Sequence, residues 1–479
     1  MQVSTIAPVS ASEHRVGWQN DVVEKAIFWL FVAGLAWVPL WNGSHDWAAW
    51  GVNAVVFPGL TALYELWLLA SGKRHPVGLR HLALPALLLA IAVAWIIAQT
   101  LTWRWLPLAN PIWGMAGNAL ARPVAQSISV NRDLTSLALT RLVTAASAFW
   151  LAVQLCRSGT RAIHLLGAIG AIGCGYAAYG LIALKAGHLP WLDALPSSNA
   201  YVSATFHNSD SYAAYAGIGA IVMLGLVLHR YADGIRDAEG SLRLIIASFV
   251  EDTSGSSAVL LGGAFLTFVA LLLTGSRGGL FGIGFGIFAL LMLGGRRESE
   301  RNPHRFALLI LSIVVLAFIL FIFGGQVGDK LGHAGLYDSG RLAVYVLVLR
   351  SIMNALLQGY GYGTFVDVFP MYRDHSIEVL GTWAQANDTY LEIFQGLGVV
   401  FGSLLIGCVV LLVTRCATGA LRRRQDAIVP RVAASAAILV GIHSMVDYGL
   451  QMQAVAITLM AILGAGIAQS QSSRLALED

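Results

Sequence analysis

Charge is the scarcest property of this chain. Only 12% of its 479 residues are Asp, Glu, Lys or Arg, about half the share of soluble domains. So few ions cannot cover the surface of a soluble protein of this size, which excludes a cytosolic or secreted globular enzyme. Lysine is nearly missing, with only Lys25, Lys73, Lys185 and Lys330, so arginine carries most of the positive charge. The arginines are dispersed and form no basic tract, which excludes nucleic acid as a partner. Cysteine is scarce too: Cys156, Cys174, Cys408 and Cys416 lie in or beside apolar runs without metal-ligand spacing, and read as packing residues. No HExxH, DxD, P-loop or Cys/His cluster occurs, so the sequence gives no sign of a metal, a nucleotide or any other cofactor.

What is present is hydrocarbon. Hydrophobic residues make up 57% of the chain. Runs of ~20 apolar residues predict an all-α, polytopic membrane protein, because only helices satisfy their own backbone inside a bilayer at that span length. The runs fall near 26–41, 47–70, 82–102, 137–156, 163–185, 212–229, 257–274, 279–295, 306–324, 390–414, 432–448 and 451–469, about twelve spans. Residues 1–25 read as a cytoplasmic tail, 26–469 as one membrane domain and 470–479 as a second cytoplasmic tail.

Basic residues orient the bundle. Lys73, Arg74 and Arg80; Arg157 and Arg161; Arg230, Arg236 and Arg243; Arg296, Arg297, Arg301 and Arg305; and Arg415, Arg422, Arg423, Arg424 and Arg431 occupy one alternating set of loops. These are expected in the cytoplasm together with both termini. The opposite loops include the longest, 325–389. Its middle, RLAVYVLVLRSIMNALLQ, has amphipathic helical spacing, and GYGYGTF after it reads as a flexible turn. No internal or inverted repeat is visible, which counts against many transporter folds.

Unusual polar groups collect on the outer side of this topology. His207, Asn208 and Asp210 open one span, and Arg277 sits in the turn LLLTGSRGGLFGI. Arg341, Arg350, Tyr372 and Arg373 lie in the long loop. Asn387, Asp388 and Glu392, in WAQANDTYLEIF, open another span, and His443 and Asp447, in GIHSMVDYG, close a third, followed by Tyr448, Gln451 and Gln453. Each has an ordinary structural reading. Asn208 to Ser211 would cap a helix. The SRGG glycines would supply positive φ in a tight turn. His443 and Asp447, at i and i+4, would satisfy each other on one helix face. Glu392 would pair with an arginine, Arg141 would be structural, and Arg350 would be a surface group. Their coincidence at one membrane level instead points to a single polar cavity, since ionisable groups at that depth are costly. Arginines with helix N-termini and glycine-rich backbone make an anion cradle suited to a lipid-linked phosphate or diphosphate. Nearby carboxylates and amides suit sugar hydroxyls.

At these residues the sequence resembles the bacterial O-antigen ligase and O-antigen polymerase superfamily, over residues 130 to 470. ISVNRDLTSLALTRLV, SATFHNSDSYAAYAG, LTGSRGGL, SGRLAVY, GYGYGTF, NDTYLEIFQGLG and HSMVDYGL follow in family order, the second resembling a GTF-x-N-x-N-x-(F/Y)-A stretch. The resemblance implies a metal-independent, inverting glycosyltransferase at the periplasmic face of the inner membrane. Its donor would be an undecaprenyl-diphosphate-linked oligosaccharide. Membrane lipids, a chain-length regulator and polysaccharide export proteins would be its partners. Paired arginines that engage the donor diphosphate map to Arg277 and Arg341. Family ligases place a proposed base histidine where Asn387 stands here, and Asn accepts no proton as a general base. That departure favours a polymerase of exopolysaccharide, capsule or O-antigen, with a ligase to lipid A-core or protein as the alternative and a transporter or flippase behind both.

The expected catalytic set is therefore Arg277 and Arg341 on the diphosphate, with Asp388, Glu392 or Asp210 orienting or deprotonating the acceptor hydroxyl. His207, Asn208, Tyr212, Arg373, Asn387, His443 and Asp447 are the expected substrate-binding residues, with His207, His443 and Asp447 as reserve bases.

Overall fold

The computed structural model describes residues 22–102, 108–186, 201–231, 255–294, 339–377, 383–423 and 427–470. Among them the chain is helical, with no strand. We number the helices α1 (Val22–Trp37), α2 (Trp47–Ser71), α3 (Ala83–Thr100), α4 (Ile112–Ala119), α5 (Arg132–Leu155), α6 (Gly159–Ala186), α7 (Ser209–Arg230), α8 (Ser256–Leu272), α9 (Arg277–Met292), α10 (Ser339–Asn354), α11 (Thr389–Arg422), α12 (Ile428–His443) and α13 (Gln453–Ser470). Eleven of the twelve expected apolar stretches fall on these helices; the twelfth, 306–324, lies outside the described residues.

Among the described residues, seven helices are long and apolar enough to cross a membrane: α2, α3 with the turn before it, α5, α6, α7, α11 and α13. α8, α9 and α12 are apolar but only 17, 16 and 16 residues long. At 1.5 Å per residue they rise roughly 24 Å, against ~30 Å of hydrocarbon core. α9 packs along α12, and α8 along α6 and α7, so the shorter helices lean on longer ones.

α7 and α13 form the centre and are almost wholly buried. Their composition explains it. AAYAGIGA in α7 and LGAGIA in α13 leave little side chain between backbones. A Cβ at Gly464 would run into the Phe149 carbonyl of α5, and one at Gly225 into Val432 of α12. Lipid tails are as apolar as leucine, so close packing of small residues is what holds such helices together. Cys156, Cys408 and Cys416 are buried and Cys174 partly so, all as free thiols. At one end of the bundle Glu24 of α1 takes the guanidinium of Arg161 from α6, joining two helices through a buried charge pair.

α11 is broken. Gly398 has φ +75° and ψ 166° in the middle of the helix, which frees backbone groups on both sides. The GYGYG segment fills the gap. Tyr360 N–H donates to the Gln395 carbonyl at 2.9 Å and Gly361 N–H to the Gly396 carbonyl at 3.0 Å; Val399 N–H donates to the Leu356 carbonyl at 2.8 Å. Gln99 of α3, wholly buried, clamps both sides. Its Nε2 donates to the Gln358 and Gly396 carbonyls, each at 2.8 Å, and its Oε1 accepts from Tyr362 N–H at 3.2 Å. Gly359, Gly361 and Gly363 all have positive φ. Gly359 lies against the Gly396 backbone and Gly361 against Ser129, so neither has space for a Cβ. The segment expected to be a flexible turn is therefore a fixed plug. Non-helical backbone inside a membrane bundle persists only when protein satisfies it, and Gln99 with the glycine segment does so.

α10 carries the amphipathic spacing of the long loop. It packs on α11 through Val344, Leu347, Val348 and Ile352, which are buried with Phe365 and Phe369. Leu342, Val346, Leu349 and Met353 remain exposed.

Candidate functional site

The polar motifs are helix starts gathered at one end of the bundle. Asn208 caps α7, its side chain accepting from Asp210 N–H at 2.9 Å. Ser276 caps α9, accepting from Gly279 N–H at 3.1 Å, which makes Arg277 the first helical residue. Asp388 caps α11, one oxygen accepting from Tyr390 N–H at 2.8 Å and Leu391 N–H at 3.0 Å. The capping reading holds for Asn208, and because Asn208 caps α7, the Asp210 carboxylate is left for another partner. In the SRGG turn the positive φ belongs to Gly275. Gly278 and Gly279 are helical, and they let α9 close on Val446, His443 and Ala213.

The first polar cluster joins four helices. Arg341, in the first turn of α10, donates to Asp210 at 3.4 Å and to the Val446 carbonyl at 3.0 Å. Ser211 Oγ donates to Asp447 at 3.0 Å. His443 Nδ1 lies 3.9 Å from the same carboxylate, and its Nε2 lies 3.5 Å from Ser276 Oγ. Both sides of Arg277 are thus tied in: Ser276 reaches His443, and Gly278 packs on His443 and Val446. α12 ends at His443, so Asp447 lies in the connector beyond it and meets the histidine through a turn, not along one helix face. His443 and Asp447 are each 1% exposed, and His443 Nδ1 and Asp447 Oδ1 have no hydrogen-bond partner. Burial, reinforced by the Asp210 charge, pushes the Asp447 carboxyl up to about 7, against the Ser211 hydrogen bond.

The second cluster surrounds Glu392. Its two oxygens accept from Ala386 N–H and from Gln451 Nε2, each at 2.6 Å. The Gln451 carbonyl takes the Arg141 guanidinium, which lies 4.4 Å over the Trp50 ring. Arg141 is therefore part of the same polar network as Glu392. Asn387 has φ +57°, a left-handed conformation that Asn tolerates, and its carbonyl accepts from Tyr345 OH at 3.0 Å. Asp388 is raised above its ordinary pKa by burial, with its two capping N–H groups opposing.

The connector after α12 links the clusters, with Asp447 in the first, Gln451 in the second and Tyr448 between them. Asn208 Nδ2 donates to Tyr448 OH at 3.3 Å. His207 is exposed and stacks on His45 with ring centroids 6.3 Å apart. Two expected site residues lie elsewhere. Tyr212 is wholly buried against Phe206, in the core. Arg373 is exposed beyond the turn Phe369–Met371, in the segment where Asp374 meets Arg350 at 3.8 Å. Sequence reasoning missed His45, Trp50, Ser211 and Ser276. Ser211 and Ser276 sit inside motifs already singled out. His45 comes from the α1–α2 connection and Trp50 from the first turn of α2, where only the run NGSHD hinted at unusual backbone; Asn42, Gly43 and Ser44 in the connection all have positive φ.

Helices built to cross a bilayer, with paired carboxylates and arginines at one end, define a polytopic membrane protein with a polar site. A family model described as O-antigen ligase matches residues 262–406. The resemblance to the O-antigen ligase and polymerase superfamily is thus supported over α9, α10, the glycine plug and the start of α11. That stretch holds Arg277, Arg341, Arg373, Asn387, Asp388 and Glu392; the α7 and α12 residues lie outside it. No curated protein matches the chain.

Proposed function

We propose that this protein is a polysaccharide polymerase of the bacterial inner membrane. It transfers glycan from an undecaprenyl-diphosphate-linked donor to a hydroxyl of a lipid-linked acceptor at the periplasmic face, inverting the anomeric centre without a metal. The carrying observation is the meeting of Arg341 with Asp210 beside His443 and Asp447, with Arg277 in the turn that touches them. Arg277 and Arg341 hold the diphosphate and stabilise its charge as the glycosidic C–O bond breaks. The acceptor hydroxyl attacks from the opposite face and passes its proton to a carboxylate. Asp388 suits this step best, because its cap uses only one carboxylate oxygen, whereas both Glu392 oxygens accept hydrogen bonds and Asp210 faces Arg341. His45, His207, Tyr448 and Gln451 would meet the sugar.

Purified protein given lipid-linked repeat units is expected to make longer chains. Arg277→Ala and Arg341→Ala should abolish this while the protein stays folded; full activity in both would reject the assignment. The match of residues 262–406 to an O-antigen ligase family model favours a ligase as the second reading. Glycan intermediates in a deletion strain separate the two: single lipid-linked repeats accumulate if a polymerase is lost, long lipid-linked chains if a ligase is lost.

A further inference from the structure

One cation at the polar end of the bundle has no counter-ion among the described residues. Arg141 stands in α5, outside the stretch that the family model matches, and is half-buried. Nη2 donates to the Gln451 carbonyl, and the guanidinium lies 4.4 Å over the Trp50 ring. Nε is covered and has no hydrogen-bond partner. Arg161 takes Glu24 and Arg341 takes Asp210, but no carboxylate of the described residues lies within ion-pair distance of Arg141. Glu392, in the same network, does not fill that place: its oxygens accept from Ala386 N–H and Gln451 Nε2. A cation taken out of water without a counter-ion is unfavourable, and at membrane depth such a group marks a site.

The surroundings of Arg141 lead out to solvent. Trp50 Nε1 donates to the Ser44 carbonyl at 2.7 Å, which fixes the ring beneath the guanidinium. His45 meets that ring edge-on, with centroids 6.2 Å apart, and His45 Nδ1 is also covered without a hydrogen-bond partner. Burial, and then the Arg141 charge, hold the His45 imidazole below its ordinary pKa, so it is neutral and Arg141 supplies the charge. His207, stacked on His45, is exposed at the rim. Aromatic faces beside amide groups suit a sugar ring, and an uncompensated guanidinium suits an anion carried on that ring. A neutral sugar would leave the cation unpaired, and a metal ion would be repelled. A carboxylate is planar and matches the guanidinium edge.

We propose that Arg141 is a specificity residue that takes the carboxylate of an acidic sugar, a uronate, in the glycan substrate, with the sugar ring against His45 and Trp50. That the ligand is a glycan rests on the polymerase reading. The test uses purified full-length protein and two disaccharides, one ending in glucuronic acid and the other identical except that the carboxyl is reduced to the alcohol. Ligand-observed NMR should show the acid form bound at least about tenfold more tightly, the gain of one charge-assisted hydrogen bond. Arg141→Gln should bind the two forms alike while circular dichroism shows wild-type helix content. Equal affinity of the wild type for the two disaccharides, or binding of neither, overturns the proposal, as does a preference that survives in Arg141→Gln. The wild-type comparison needs no variant, so it decides the matter even where the substitution unfolds the protein. Binding of a short-chain polyprenyl diphosphate sugar to the wild type separates the two levels. If that sugar binds and the acid preference is missing, only the uronate site is refuted; if that sugar does not bind, the polymerase reading fails.

Discussion

Replacing Gln99 by leucine should loosen the break in α11 more than its single side chain suggests. Leucine keeps the volume but removes two donated bonds, to the Gln358 and Gly396 carbonyls, and one accepted bond, from Tyr362 N–H. Gln99 is wholly buried, so water does not take over. A buried polar group left unpaired costs about 1–3 kcal/mol. The Gly396 carbonyl keeps Gly361 N–H, so two groups, the Gln358 carbonyl and Tyr362 N–H, are left unpaired and give roughly 2–6 kcal/mol. Membrane interiors lower that figure, since side-chain bonds measured there average ~0.6 kcal/mol because the unfolded chain also finds partners. The backbone groups at a helix break have no such alternative, so the expected loss is about 3 kcal/mol. That equals roughly a hundredfold change in a local opening equilibrium. Hydrogen exchange read by mass spectrometry reports it directly. Peptides covering Tyr360 to Tyr362 and Val399 should exchange about a hundredfold faster in Gln99→Leu, while peptides from α13 should not change. Unaltered exchange over 356–362 would mean that the plug does not rest on Gln99, and the reasoning would fail.

Ala204 has φ +48° at the position where the family pattern has glycine, so Ala204→Gly should stabilise the protein by about 1 kcal/mol, seen as a raised unfolding midpoint. The Asp447 carboxyl, pushed up to about 7, binds its proton more tightly folded than unfolded. The stability contributed by this carboxyl should therefore fall as pH rises from about 4 to 7 and level off above, and Asp447→Asn should remove that component in unfolding measured across pH. Glu24→Ala would remove the buried carboxylate that pairs with the Arg161 guanidinium, and a loss of about 3 kcal/mol is expected in the same unfolding assay.

Much of the fold was legible because each helix declares itself by hydropathy. Eleven apolar stretches became helices, and the polar motifs did mark one end of the bundle. What escaped was carried by backbone. GYGYGTF reads as a flexible turn from composition, and nothing local says that three positive-φ glycines fill a gap in a helix nearly forty residues later. Gln99 stands at the end of an apolar run, and nothing near it in sequence marks its role. The site divided in the same way. Asp210, Arg341, His443 and Asp447 were found because ionisable groups are rare in so apolar a chain, and the structure brings them together. Tyr212 was drawn into the site by its neighbours in the motif, yet the helical period turns it into the core beside Phe206. The partner of Arg141 is a carbonyl 310 positions away, which no local pattern reveals.

The central claim is that Arg277 and Arg341 together grip a lipid-linked diphosphate. Binding of a short-chain polyprenyl diphosphate sugar to the purified protein tests it without requiring turnover. Arg277→Ala and Arg341→Ala should each weaken binding at least about tenfold, and the analogue lacking the diphosphate should not bind. Wild-type affinity in both variants, with the fold intact, would contradict the account.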